Sequence, residues 1–336
     1  MRRCLILFAI VGLAFVTPTR VLSADSPLLL PEGVELRSFA GEAGALRLFA
    51  EDTGVSAMVT PSYGGRILFY GIEGQNLLWF SRGAGPSGSL ERGGYELALG
   101  PETRRIPPSP TLSKGQYRSR MVRDFTVEVR SLPDPLLGVQ LMKEIVIDPE
   151  TGDLGLSQTI TNTSPREVSF CQWDRTTVQP DGYVIVPVNR KSRFEDGWAL
   201  REGSPGNYSY NGTAPESDRV EVRRGELYAK ASGKPMKIGL DSDAGWVAYA
   251  WRHFLFVKYF PYYRTGDYTD SGCTVEVAWN ERFVELQLLS PEIKLKPGEA
   301  FRFPEFWKIV ELKDEVTSFK EARKAAKKVP RSPFAR

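Results

Sequence analysis

From Leu46 to Leu312 the chain is a succession of short runs rich in β-branched and aromatic residues, many alternating with polar ones. The pattern predicts strands over Arg66–Ile72, Asp124–Leu132, Gly138–Asp148, Asp153–Thr163, Glu167–Val178 and Tyr183–Val188. Further strands are predicted over Arg219–Ala231, Trp246–Arg252, Phe254–Phe260, Thr274–Trp279, Phe283–Leu289 and Phe301–Leu312. Turn-forming residues bound most of them, among them Pro149-Glu150-Thr151-Gly152, Asp181-Gly182 and Lys296-Pro297-Gly298. Almost no stretch before residue 313 has a 3.6-residue apolar period, so the fold class is all-β. A dozen strands exceed what one open sheet holds comfortably, and two large, mainly antiparallel sheets packed face to face are expected. No fixed-period repeat points to a propeller. Gly83–Lys114 and Arg190–Ser217, rich in Gly, Pro, Ser and Asn, read as long loops of the kind that carry binding residues or cover a sheet edge.

The two ends break this pattern. Arg2 and Arg3 precede an apolar run from Cys4 to Val16, and the small residues Ser23 and Ala24 follow. That order is a secretory signal, residues 1–24. The run is shorter than the roughly 20 residues that a membrane crossing needs, so no stable span is expected. The mature protein is therefore exported, to the periplasm or the extracellular space. At the other end Val316, Phe319, Ala322, Ala326 and Val329 lie at helical spacing among Lys320, Arg323, Lys324, Lys327 and Lys328. Residues 313–336 thus form a basic tail with a short helix ending near Pro330, and its weak apolar face fits a solvated terminal helix.

Composition narrows the chemistry. The chain has 336 residues, 44 Lys+Arg against 41 Asp+Glu, and formal charge +3. All of that excess sits in Arg2, Arg3 and Arg20, so the mature chain is neutral overall. Without a basic field, nucleic acid is not an expected partner. One histidine and three cysteines rule out a multi-His metal centre and a four-Cys zinc site, and no cofactor is expected. In an oxidising compartment Cys171 and Cys273 either bridge or stay as separate buried thiols; their spacing leaves both open. Oligomeric state is not legible.

Two segments carry a family likeness. Near the start stand Pro61-Ser62-Tyr63-Gly64-Gly65-Arg66-Ile67, Gly71 and Gln75-Asn76-Leu77-Leu78-Trp79. Near the end stand Phe283-Val284-Glu285-Leu286-Gln287 and Leu295-Lys296-Pro297-Gly298-Glu299. In order and spacing they resemble the galactose mutarotase-like (aldose 1-epimerase-like) superfamily, and within it an exported bacterial branch. The resemblance implies a single β-supersandwich domain over residues 25–312 that binds a carbohydrate. It also implies that Glu285 is the general base that takes the proton from the anomeric hydroxyl.

The residues can be read independently of that likeness. Along Phe283–Leu289 the pleat puts Phe283, Glu285, Gln287 and Leu289 on one face and Val284, Leu286 and Leu288 on the other. A carboxylate beside aromatic walls is suited to general-base work; a solvated or salt-bridged Glu is the alternative. The family's general-acid His has no counterpart: Thr161-Asn162-Thr163-Ser164 leads to Cys171-Gln172-Trp173-Asp174-Arg175, and His253 matches neither family His. Substitutes are Asp174, and Lys258, which alternates with Phe254, Phe256 and Phe260. Trp173 would stack on a pyranose. Tyr268 and Asp270 would reach the same cleft from a loop, with Arg66 and Gln287 as further sugar contacts and Glu102 and Arg104 as polar candidates. Two main readings stay open: an epimerase-like enzyme acting at an anomeric carbon, with Glu285, Lys258 and Asp174 as its catalytic groups, and a carbohydrate-binding module without turnover. A third is a structural envelope protein docking through its basic tail.

Overall fold

A computed structural model describes residues 31–81, 93–102, 109–204, 207–210 and 217–334. The secretory signal expected over residues 1–24 and the candidate Arg104 lie outside them. Among the described residues there are two antiparallel sheets of 13 and nine strands. The centre of the larger sheet runs, in spatial order, through Arg66–Ile72, Tyr95–Gly100, Val168–Val178, Val284–Leu288, Val275–Trp279 and Met236–Leu240. Val34–Phe39, Glu42–Ala50 and Val55–Thr60 extend one side, and Ala199–Ser204 and Asn207–Tyr210 the other. The smaller sheet is centred on Trp246–Tyr259, Ala300–Val316 and Leu154–Asn162.

The core lies between the sheets. Val139–Ile147 and Leu154–Asn162 alternate buried and half-buried positions without interruption, as strands with one face on a core must. Tyr70, Tyr95, Phe256 and Trp307 meet edge-on or tilted at its centre, with ring centroids 5.2–5.9 Å apart. The all-β expectation holds, and most boundaries agree within two residues. The expected strands Trp246–Arg252 and Phe254–Phe260 are one strand interrupted by a bulge, where Arg252 takes φ 53°. Part of the expected loop Arg190–Ser217 pairs as edge strands, because Ala199 and Leu200 find partners in Gly239 and Ile238.

The terminal helix, Phe319–Ala326, is not solvated. Ala322, Ala325 and Ala326 are buried with Tyr183, Ile185, Tyr228 and Leu255 on the outer face of the smaller sheet. Alanines leave little apolar width in the sequence, but their small size lets the helix lie close. No helix among the described residues is long and apolar enough to cross a membrane.

Candidate functional site

The six central strands of the larger sheet turn alternate residues away from the core, and on this outer face charges collect. Tyr95 and Leu97 enter the core, so Glu96 points outward; Ile238 enters, so Lys237 points outward; Val275 and Val277 enter, so Glu276 points outward. By the same alternation Val168–Val178 presents Cys171, Trp173 and Arg175, and Val284–Leu288 presents Glu285 and Gln287.

Gln287 is the hub. Its Nε2 donates to Glu285 Oε2 at 2.7 Å, while its Oε1 accepts from Trp173 Nε1 at 3.0 Å and from Lys237 Nζ at 2.8 Å. Lys237 lies 2.6 Å from Glu102 and 2.6 Å from Glu276, and Arg201 pairs with Glu102 at 2.8 Å. Burial works against the Lys237 charge, but these carboxylates outweigh it and hold the proton more tightly than in an ordinary lysine. On the other side Glu96 pairs with Arg175 and, at 2.9 Å, with Arg66. Burial alone would raise the Glu96 carboxyl; the two guanidinium groups hold it below the usual range. Burial also opposes the Arg175 charge, and Glu96 and Glu285 more than offset this.

Arg66 is aimed by the turn before it. Gly64 and Gly65 have φ 68° and 54°, and a Cβ on Gly64 would stand 2.5 Å from the Ser113 carbonyl oxygen. The Arg66 guanidinium bonds the carbonyls of Gly93 and Ser113, so this residue is a buried support and not an exposed sugar contact.

The structure thus brings Glu285, Gln287, Trp173 and Arg66 to one face but separates other candidates. Asp174 and Lys258 lie on the opposite side of the sheet, in the core, each without measurable exposure. Lys258 Nζ donates to Asp174 Oδ2 at 2.6 Å and Thr176 Oγ1 at 2.7 Å, with Glu305 at 3.3 Å. Burial pushes the Asp174 carboxyl well up, reinforced by Glu305. Neither Asp174 nor Lys258 can touch a ligand on the outer face, which corrects the catalytic role expected of them. Trp173 is on the correct face but 3% exposed, with the Arg175 guanidinium 5.3 Å and the Lys237 ammonium 5.5 Å from its ring. It forms part of the floor and offers no open stacking surface. Tyr268 is held in its own loop, where its hydroxyl accepts from Tyr263 N at 2.9 Å and its ring stacks on Tyr262. Asp270 reaches the face: the Thr269 hydroxyl, which bonds it at 3.3 Å, lies 3.3 Å from Cys171 Sγ. Cys171 and Cys273 are both free and buried, so no bridge joins them.

Sequence reasoning missed Arg175, Lys237, Glu276 and Glu96. Their signal is a single charge between core residues, as in Met236-Lys237-Ile238 and Val275-Glu276-Val277. It also missed Trp79, whose half-buried ring meets Phe283 at 4.8 Å. The Trp79 backbone N donates to Thr177 O, and Thr177 is the register partner of Glu285, which sets this aromatic pair beside the carboxylate.

Residues 102–310 match the model of a family described as a domain of unknown function (DUF4380). No curated protein matches the chain. Among solved structures, a galactose mutarotase-like protein from Clostridium acetobutylicum superposes with TM-score 0.57 at 11% identity, covering 83% of this chain and 98% of that one. A galactose mutarotase-like protein from Lactobacillus casei gives 0.55 at 10% identity, over 80% and 100% of the two chains. A galactose mutarotase related enzyme from Lactobacillus acidophilus gives 0.52 at 11%, over 79% and 97%. At these identities the likeness is one of fold.

Proposed function

This chain belongs to the DUF4380 family and has a galactose mutarotase-like fold, and from that premise we propose that the outer face of its larger sheet binds a carbohydrate. On this reading Glu285 is the proton acceptor in an epimerase-like reaction at the sugar's anomeric carbon. The observation that carries it is the contrast among the acids of the face. Glu96, Glu102 and Glu276 are buried and each is tied to Lys or Arg, whereas Glu285 is half-buried and its hydrogen bond comes from the neutral amide of Gln287. Such a carboxylate keeps lone pairs for a ligand while its orientation is set by a neighbour that is itself fixed by Trp173 and Lys237. Trp79 and Phe283 supply the apolar wall that the C–H face of a pyranose packs on. The charged end of the leader-like segment supports a location outside the cytoplasm, periplasmic or extracellular.

A second reading, binding without turnover, is favoured by one observation. The sole histidine, His253, is exposed at a bulge in the other sheet, so no imidazole serves this face.

Glu285→Gln separates the two. It preserves shape and hydrogen bonding but removes proton acceptance, and general-base contributions are about 10²–10⁴-fold in rate. Anomer interconversion on a panel of aldoses, followed by polarimetry or NMR, should fall by that factor while sugar affinity changes little. Wild-type interconversion no faster than the spontaneous rate, with binding intact, establishes the second reading. Equal rates for wild type and variant remove Glu285 from the chemistry.

A further inference from the structure

The basic tail takes no part in the face described above, which lies on the other side of the sandwich. Residues 313–336 carry eight basic and three acidic side chains, so in a mature chain that is neutral overall the remainder is net acidic. The helix Phe319–Ala326 fixes how the basic charges are presented. Phe319, Ala322, Ala325 and Ala326 turn toward the smaller sheet. Lys320, Lys324 and Lys327, at i, i+4 and i+7, therefore share the opposite side, within an arc of about 60° and a length of about 10 Å. All three are exposed, as are Lys328 and Arg331 beyond them. The platform is anchored at both ends: the Tyr183 hydroxyl donates to Thr317 O and the Tyr259 hydroxyl to Pro330 O, each at 2.9 Å.

Little on the protein neutralises this row. Glu321, the helix's one acid, lies to the side and accepts from the Ser318 hydroxyl. Arg323 pairs with Glu221, and Lys324 stands 3.8 Å from Asp314, where both side chains are more than half exposed. Lys320, Lys327 and Lys328 have no ion pair among the described residues. Helix stability does not account for the row either. Lysines in the last turn suit the helix dipole, but Lys320 stands in the first turn, where the dipole disfavours a cation.

Beside the row, between the helix and the end of strand Ala300–Val316, runs a slot of about 470 Å³. Leu312, Val316 and Ala325 form its floor, and Lys324, Lys327 and Lys328 stand along its rim. A soluble polyanion would meet only the lysines. Anionic lipids present headgroup charge over hydrocarbon and match both the row and the slot. We propose that this side of the tail docks the protein peripherally on an anionic lipid bilayer. The helix lies on the surface without inserting, because its own apolar side is spent on the smaller sheet. The net acidic remainder is repelled by the same surface, which turns the outer face of the larger sheet away from the lipid.

Cosedimentation with vesicles tests this, using the mature chain from Asp25, which retains every described element. The protein should sediment with phosphatidylcholine vesicles that contain phosphatidylglycerol and stay in solution with phosphatidylcholine alone. Raising NaCl from about 0.1 to about 1 M shortens the screening length from about 10 to about 3 Å and should release it. Neutralising a lysine near an anionic surface weakens partitioning about fivefold, so the triple variant Lys320→Gln, Lys324→Gln, Lys327→Gln should lose about 100-fold. Arginine at the same three positions should preserve binding. Lys191→Gln, Lys234→Gln, Lys294→Gln together remove the same charge from exposed positions elsewhere and should leave binding within a few-fold of wild type. An equal loss in that variant overturns the assignment to the helix. Wild type that ignores both kinds of vesicle, or binds both alike at high salt, overturns the proposal without recourse to any variant. Retention on dextran sulfate without sedimentation on vesicles overturns the lipid and assigns the row to a polyanion.

Discussion

Replacing Lys143 with methionine measures what the interior of this fold charges for a cation. Lys143 lies on Val139–Ile147 with no measurable exposure, its Nζ donating to Gly64 O at 3.0 Å and standing 5.1 Å from the Tyr117 ring. Burial, with a further push from Arg66 and partial relief from Glu96, lowers its proton affinity from the ordinary 10.5 to about 7. At about 1.4 kcal/mol per pH unit, that drop amounts to a destabilisation of about 5 kcal/mol below pH 7. Between pH 7 and 10.5 the unfolded chain binds this proton and the folded protein does not, so the contribution to stability rises with pH and the penalty is relieved near 10.5. Methionine fills a similar volume without charge but leaves the Gly64 carbonyl unpaired, at a roughly pH-independent cost of about 1–3 kcal/mol. Lys143→Met should therefore be more stable than wild type by about 2–4 kcal/mol at pH 6. The advantage should shrink by up to about 1.4 kcal/mol per unit above pH 7 and reverse before pH 10.5. Urea unfolding at pH 6, 7, 8 and 9 reads this directly. Parallel stability curves, or a variant already weaker at pH 6, would refute the argument.

Lys237→Met leaves Glu276 and Glu102 facing each other without their shared cation, and should destabilise by about 3–5 kcal/mol. Thermal melts of Lys237→Met, Glu276→Gln and the double variant should show the double recovering part of the loss; strict additivity would contradict the pairing. The leader-like order of residues 1–24 predicts a mature N-terminus near Asp25, which intact mass analysis of the exported protein checks, and Met1 retained in the envelope fraction speaks against it.

Much of the architecture is written in local pattern. Alternation over Val139–Ile147 and Leu154–Asn162, closed by the turn at Asp148–Gly152, is sufficient for a hairpin with one buried face. The pleat of Val284–Leu288 likewise makes Glu285 and Gln287 neighbours on one face, because three apolar residues between and around them have to enter the core. Alternation also places Lys258 with Phe254, Phe256 and Phe260, and these do share the interior.

What a period of two does not reveal is which side of a strand becomes the inside when both carry polar groups. Along Val168–Val178 one face bears Cys171, Trp173 and Arg175 and the other bears Gln172, Asp174 and Thr176. Asp174 can be the interior residue because Lys258, 84 positions away, and Glu305 meet it across the sandwich, while Arg175 faces Glu96 on the outside. The grouping of Glu285 with Lys237 and Glu276 arises in the same way, from strands adjacent in the sheet and separated in the chain. Residue type and spacing determined that these charges lie on strands. Only the pairing order determined which of them meet, because the energy of a buried charge depends on the partner that tertiary structure sets beside it.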